Sequence, residues 1–70
     1  MYRTKVLLKY YDTHWMYATI NVGKQFAGST PIASMMYQSG TATINVVNIS
    51  AEQVKDDGNV TIWAYGSGFV

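Results

Sequence analysis

The sequence predicts a β-rich α+β domain: a four-stranded sheet carrying one short helix and a second helical turn. Three observations lead there. Apolar and polar residues alternate in four separate stretches, the period of a half-buried strand. Ser29-Thr30-Pro31 reads as a helix start, a hydroxyl cap with proline near the first turn, where its missing N–H costs nothing. Ser50-Ala51-Glu52-Gln53 matches a capping box, serine followed three residues later by glutamine.

The first strand is expected over Tyr2 to Tyr11, with Tyr2, Thr4, Val6, Leu8 and Tyr10 on one side and Arg3, Lys5, Leu7, Lys9 and Tyr11 on the other. Asp12-Thr13-His14 breaks it, and Trp15 to Val22 alternates again with Met16, Ala18, Ile20 and Val22 on one face. A three-residue loop at Asp12 to His14 sets Leu8 opposite Ala18 and Lys9 opposite Tyr17. It keeps both apolar sets on one side, whereas a two-residue turn would separate them, and register follows the apolar face.

Gly23 to Gly28 reads as loop. The short helix opens at Ser29-Thr30-Pro31, presents Ile32, Met35 and Met36 on one side, and stops at Gly40. Ala42 to Ile49 forms the third strand with Ile44 and Val46 on one face. The capping box then opens a helical turn through Val54 to Asp57, which Gly58 ends. Val60, Ile62 and Ala64 alternate with Thr61, Trp63 and Tyr65 in the fourth strand, and residues 66–70 have the composition of a flexible tail. The pentapeptide Ala-Thr-Ile-Asn-Val at Ala18 to Val22 and Ala42 to Val46 has unrelated flanks, so it reflects two strands of like composition.

This order of elements resembles the β-grasp arrangement of ubiquitin-like domains, in which one helix crosses a mixed four-stranded sheet. The resemblance implies a fold only. The C-terminal di-glycine of conjugating members is replaced by separated Gly66 and Gly68, followed by Phe69-Val70. A small barrel or an all-antiparallel sheet accommodates the same elements.

Seventy residues make one domain, 1–70, whose stability margin is thin. The absence of cysteine and the single His14 remove disulfides and the usual zinc patterns, so no metal or cofactor is expected. Charged residues are only 13% of the chain, against about 25% in soluble domains. With so few charges, some apolar surface must face outward, and such surface marks an interface. A net charge of +1 is too small to draw nucleic acid or anionic lipid from a distance. No stretch suits a membrane helix, and Met1 to Lys9 does not read as a signal peptide, so a cytoplasmic location in a bacterial or host cell is expected. Asn48-Ile49-Ser50 and Asn59-Val60-Thr61 match a glycosylation pattern that has no role there.

With the even-numbered strand residues as core, Val6, Leu8, Ile20, Ile44, Val46 and Ile62 face inward with Ile32 and Met36 of the helix. The opposite face then collects Tyr11, Trp15, Tyr17, Trp63 and Tyr65. Tryptophan and tyrosine pair large contact area with a polar tip, which makes this face the expected interface. The competing expectation is a second core, with the sheet rolled up or the tail folded across the aromatics.

Arg3, Lys5 and Lys9 alternate beside Tyr11, Trp15 and Tyr17, the composition of a single-stranded nucleic-acid platform. Three cations release few counterions, so any such binding is weak. Asp12, Thr13 and His14 in one loop are too local to enclose a substrate. Glu52, Asp56 and Asp57 suit a solvated helix face, and Gly66-Ser67-Gly68 precedes no helix that would complete a phosphate loop. The sequence therefore predicts a protein that is not an enzyme. The expected role is a protein-interaction domain, a homo-oligomer that also binds a protein partner, of the type of small bacterial or phage regulators and inhibitors. A weak single-stranded nucleic-acid binder and a structural subunit of an assembly are the alternatives.

Overall fold

The computed structural model describes residues 2–34 and 44–69. Within them lie β1 (Lys9–Asp12), β2 (Trp15–Asn21), a 3-10 turn (Lys24–Phe26), β3 (Asn45–Ala51) and β4 (Asn59–Ser67). The strands form one sheet in the order β1-β2-β4-β3, every neighbouring pair antiparallel. The sheet is thus not the mixed sheet of a β-grasp domain. It is the all-antiparallel alternative, with β2 and β4 central and β1 and β3 at the edges.

The inward side of the sheet is set by even residues of the central strands. Ala18, Val60, Ile62 and Ala64 are buried, and Val54 joins Val60 and Ile62 in the core cluster, against which Leu8, Ile20, Ile49 and Ala51 pack. Met16, Ile20, Val60 and Ile62 also line a hollow of about 1260 Å³ between this face and residues 2–8 and 29–34.

The first hairpin reaches the expected register by another route. Lys9 pairs with Tyr17 and Tyr10 with Met16, as the apolar pattern requires, but Asp12 pairs with Trp15. The expected three-residue loop is therefore a two-residue turn, Thr13-His14, plus a bulge at Tyr11. One extra residue on the outer strand restores the phase that a short turn would have lost. The Asp12 carboxylate closes the turn by accepting from the His14 backbone N–H at 2.9 Å.

Residues 2–8 are not strand, although their alternation predicts one. They cross the core side instead: Tyr2 meets Phe26 with ring centroids 5.3 Å apart, and Leu8 packs on the core cluster. The contacts of Leu8 with the core cluster and of Tyr2 with Phe26 take the place of edge hydrogen bonds at this short outer strand. Val6 and Leu8 are consequently half-buried rather than fully enclosed.

Ser29 to Ser34 carries no helix, and the remainder of the predicted helix, with Met35 and Met36, lies outside the described residues. Backbone pairing explains this: Gly28 N–H donates to Val54 O at 2.9 Å, and Val54 N–H to Ser29 O at 2.8 Å. These bonds hold the chain extended where the helix would have begun. Ile32, expected in the core, is fully exposed.

The second helical turn is absent as well. Glu52 N–H donates to Thr61 O and Lys55 N–H to Asn59 O, continuing the β3–β4 ladder through the segment. Gly58 N–H then donates to Lys55 O at 2.9 Å, and Gly58 takes φ +90°, a tight turn ended by a left-handed glycine. A capping box is a local preference, and a few residues cannot nucleate a helix against a ladder already in place. Strand β3 ends later than expected, at Ala51, while its expected start at Ala42 and Thr43 lies outside the described residues. It carries a bulge at Val47, between the Val46–Gly66 and Asn48–Tyr65 pairs. Strand β4 runs on through Gly66-Ser67, and Phe69 beyond it is buried.

Candidate aromatic binding face

Pairing alone places the large rings together. Tyr17 lies opposite Trp63 and Trp15 opposite Tyr65 across the β2–β4 ladder, all on the side away from Val60 and Ile62. The Tyr11 bulge carries a fifth ring over from the edge. Trp63 is the hub, with ring centroids 5.1 Å from Tyr11, 5.7 Å from Trp15 and 5.7 Å from Tyr17. Tyr11 also meets Tyr17 at 5.6 Å, and Trp15 meets Tyr65 at 4.9 Å. All five residues singled out from the sequence thus form one continuous cluster. Such pairs contribute about 0.5–1.5 kcal/mol each beyond the area they bury, so the cluster also binds the three strands to one another.

The cluster is not closed over among the described residues. Tyr11 is 58% exposed and Tyr65 40% exposed, while Trp15, Tyr17 and Trp63 are half-buried, largely by one another. That geometry is an aromatic sheet face with half-buried rings at its centre and exposed rings at its margin.

Several polar residues belong to this face that the alternation pattern did not reveal. The bulge at Val47 shifts the phase of β3, so Ser50 stands opposite Trp63 and Asn48 opposite Tyr65. Glu52 continues on the same side, and its Oε2 accepts the Trp63 indole N–H at 2.6 Å. His14 stacks on Tyr65 with centroids 6.1 Å apart. A shallow, open cleft of about 310 Å³ is lined by Tyr11, Asp12, Trp15, Ser50 and Trp63. The slip was visible in principle: apolar residues change from even positions at Ile44 and Val46 to odd positions at Ile49 and Ala51.

The basic residues do not gather as the alternation suggested. Lys9 stands beside the cluster, opposite Tyr17. Arg3 and Lys5 lie in the irregular segment that lines the hollow on the core side. The platform of cations interleaved with rings is therefore reduced to a single lysine.

The polar groups of the hairpin loop are engaged with one another. Asp12 holds the His14 backbone, and Thr13 Oγ1 lies 3.2 Å from His14 Nδ1, all in exposed positions. Glu52 is drawn to Trp63, whereas Asp56 and Asp57 sit in the β3–β4 turn, where Asp57 accepts from Asn59. Among the described residues no three His, Cys, Asp or Glu side chains converge as a metal site, and no helix is long and apolar enough to cross a membrane.

Comparison of the chain with protein-family models, with characterised proteins and with solved structures finds no significant match.

Proposed function

We propose that this chain is a non-enzymatic protein-interaction domain that associates with itself and with a protein partner through its aromatic sheet face. The observation that carries the reading is the cluster of Tyr11, Trp15, Tyr17, Trp63 and Tyr65, continuous across three strands with exposed rings at its margin. Rigid aromatic side chains give contact area at low entropic cost, and they dominate the energetics of interfaces. The low charge content supports the same reading, because few groups are available to keep such a face solvated. A role as a small cytoplasmic regulator or inhibitor, of bacterial or phage type, acting by occupying a surface, fits a chain whose distinctive chemistry is contact area.

Sedimentation across micromolar concentrations tests the reading. Association is expected, and Trp63→Lys is expected to abolish it by setting a charge at the centre of the contact. A dimer paired through the exposed edge of β1 or β3 would instead survive Trp63→Lys. A monomer at every concentration removes self-association, leaving capture of a foreign partner to be tested with the same variant.

A further inference from the structure

The cleft beside Trp63 has a more specific composition than the face around it. Its three rings, Tyr11, Trp15 and Trp63, come from three strands' worth of the face, and the planes of Tyr11 and Trp15 stand at 87° and 86° to that of Trp63. At 5.1 and 5.7 Å these are edge-to-face contacts, so Tyr11 and Trp15 pack directly on Trp63. The π-surface left for an organic cation is on the solvent side of the three rings. The charged residues near it are two carboxylates and Lys9, which stands opposite Tyr17 beside the cluster. Asp12 lines the cleft, and Glu52 is held against Trp63 by the 2.6 Å hydrogen bond. Each uses one oxygen in a defined bond, Asp12 Oδ1 to the His14 backbone and Glu52 Oε2 to the indole. Among the described residues the second oxygen of each takes no hydrogen bond from the protein. Ser50 adds a hydroxyl to the lining.

We propose that this cleft is the site for an arginine side chain presented by the protein partner, an inference that rests on the interaction reading above. The guanidinium stacks against aromatic faces and donates from a planar fork to carboxylate oxygens, so rings and acids are satisfied by one group. A lysine ammonium, compact and strongly hydrated, uses the carboxylates but gains less from the rings. Trp63 has two roles in this site. Its ring forms part of the lining, and its N–H holds the Glu52 carboxylate, which lies outside the lining itself.

The test uses the intact protein and a neutral isostere. Acetyl-arginine amide and acetyl-citrulline amide are titrated separately at fixed ionic strength, and the Trp63 indole N–H and the Tyr11 and Trp15 ring resonances are followed by NMR. The arginine compound is expected to shift these signals saturably in the millimolar range, with the citrulline compound weaker by roughly fivefold or more. Asp12→Asn and Trp15→Leu are each expected to weaken the arginine response severalfold. Because Trp15→Leu risks the fold, the arginine–citrulline ratio in the unaltered protein decides the matter by itself. Equal responses to the two compounds, or none, overturn the arginine site. If the protein at the same time associates in a manner abolished by Trp63→Lys, the interaction reading survives that result. An arginine response in a protein that neither associates nor captures a partner keeps the site and removes its proposed use.

Discussion

Trp63 and Glu52 are joined by a 2.6 Å hydrogen bond from the indole Nε1–H to Oε2, linking the centre of the aromatic face to the end of the neighbouring strand. The bond exists because the bulge at Val47 turns the even residues of β3 toward the rings. A residue that composition alone would assign to open solvent thereby takes part in orienting the tryptophan at the centre of the face. Glu52→Ala should release the indole: its N–H resonance moves toward the solvent-exposed position, while stability falls by about 1 kcal/mol or less, since the pair is exposed. An unmoved resonance would mean that ring packing alone holds Trp63.

Gly58 marks a stricter requirement. Its φ is +90°, and a Cβ there would come within 2.6 Å of the Gly23 carbonyl carbon and 2.9 Å of the Lys24 nitrogen. Gly58→Ala should therefore cost about 1–3 kcal/mol, through left-handed strain and displacement of the Gly23 loop. Urea unfolding measures it, and a change within about 0.5 kcal/mol of zero would show that the turn relaxes freely.

The core predicts an order of sensitivity. Val60 is only 1% exposed at the centre of the cluster, whereas Leu8 is half-buried at its margin. Val60→Ala should cost about 2–3 kcal/mol, and Leu8→Ala less, about 1–2 kcal/mol, because only part of its side chain leaves an apolar environment. Denaturant midpoints of the two variants give the comparison. A larger loss at Leu8 would show that residues 2–8 seal the core more tightly than their irregular path suggests.

Single-stranded oligonucleotides should bind weaker than about micromolar at physiological salt, since Arg3 and Lys5 lie on the core side and only Lys9 adjoins the rings. Fluorescence anisotropy at two salt concentrations checks this. Tight binding that falls steeply with salt, and that Lys9→Glu removes, would make the rings a base-stacking platform.

The parts of the fold that were legible in the sequence are those where a single period holds. The pattern from Trp15 to Val22 and from Val60 to Tyr65 assigned both faces of the central strands, and with them the five aromatic residues that meet around Trp63. What escaped it depended on competition between segments. Ser50 to Gln53 has the local form of a helix start, but Glu52 and Lys55 find ladder partners across the hairpin. Ser29-Thr30-Pro31 suggests a cap, yet the Ser29 carbonyl is taken by Val54. Tyr2 to Leu8 alternates as a strand does, but Leu8 packs on the core cluster and Tyr2 on Phe26, contacts far along the chain that no local period encodes. Asp12 and Ser50 as members of the cleft, and Glu52 as the partner of Trp63, were invisible because each reaches the face through a bulge or a turn, and a constant period contains neither.

Val47 occupies a position where the length of the chain matters more than the identity of the residue. Before it, Val46 faces the core side opposite Gly66; after it, Ile49 and Ala51 face that side again, with Ser50 opposite Trp63. Exchanging Val47 for another residue changes one exposed side chain. Deleting it forces a choice, sending either Val46 outward or Ile49 and Ala51 among the rings. Natural variation in this strand should accordingly be rich in substitutions and poor in insertions and deletions, with the residue count between Asn45 and Ala51 held constant while the letters drift.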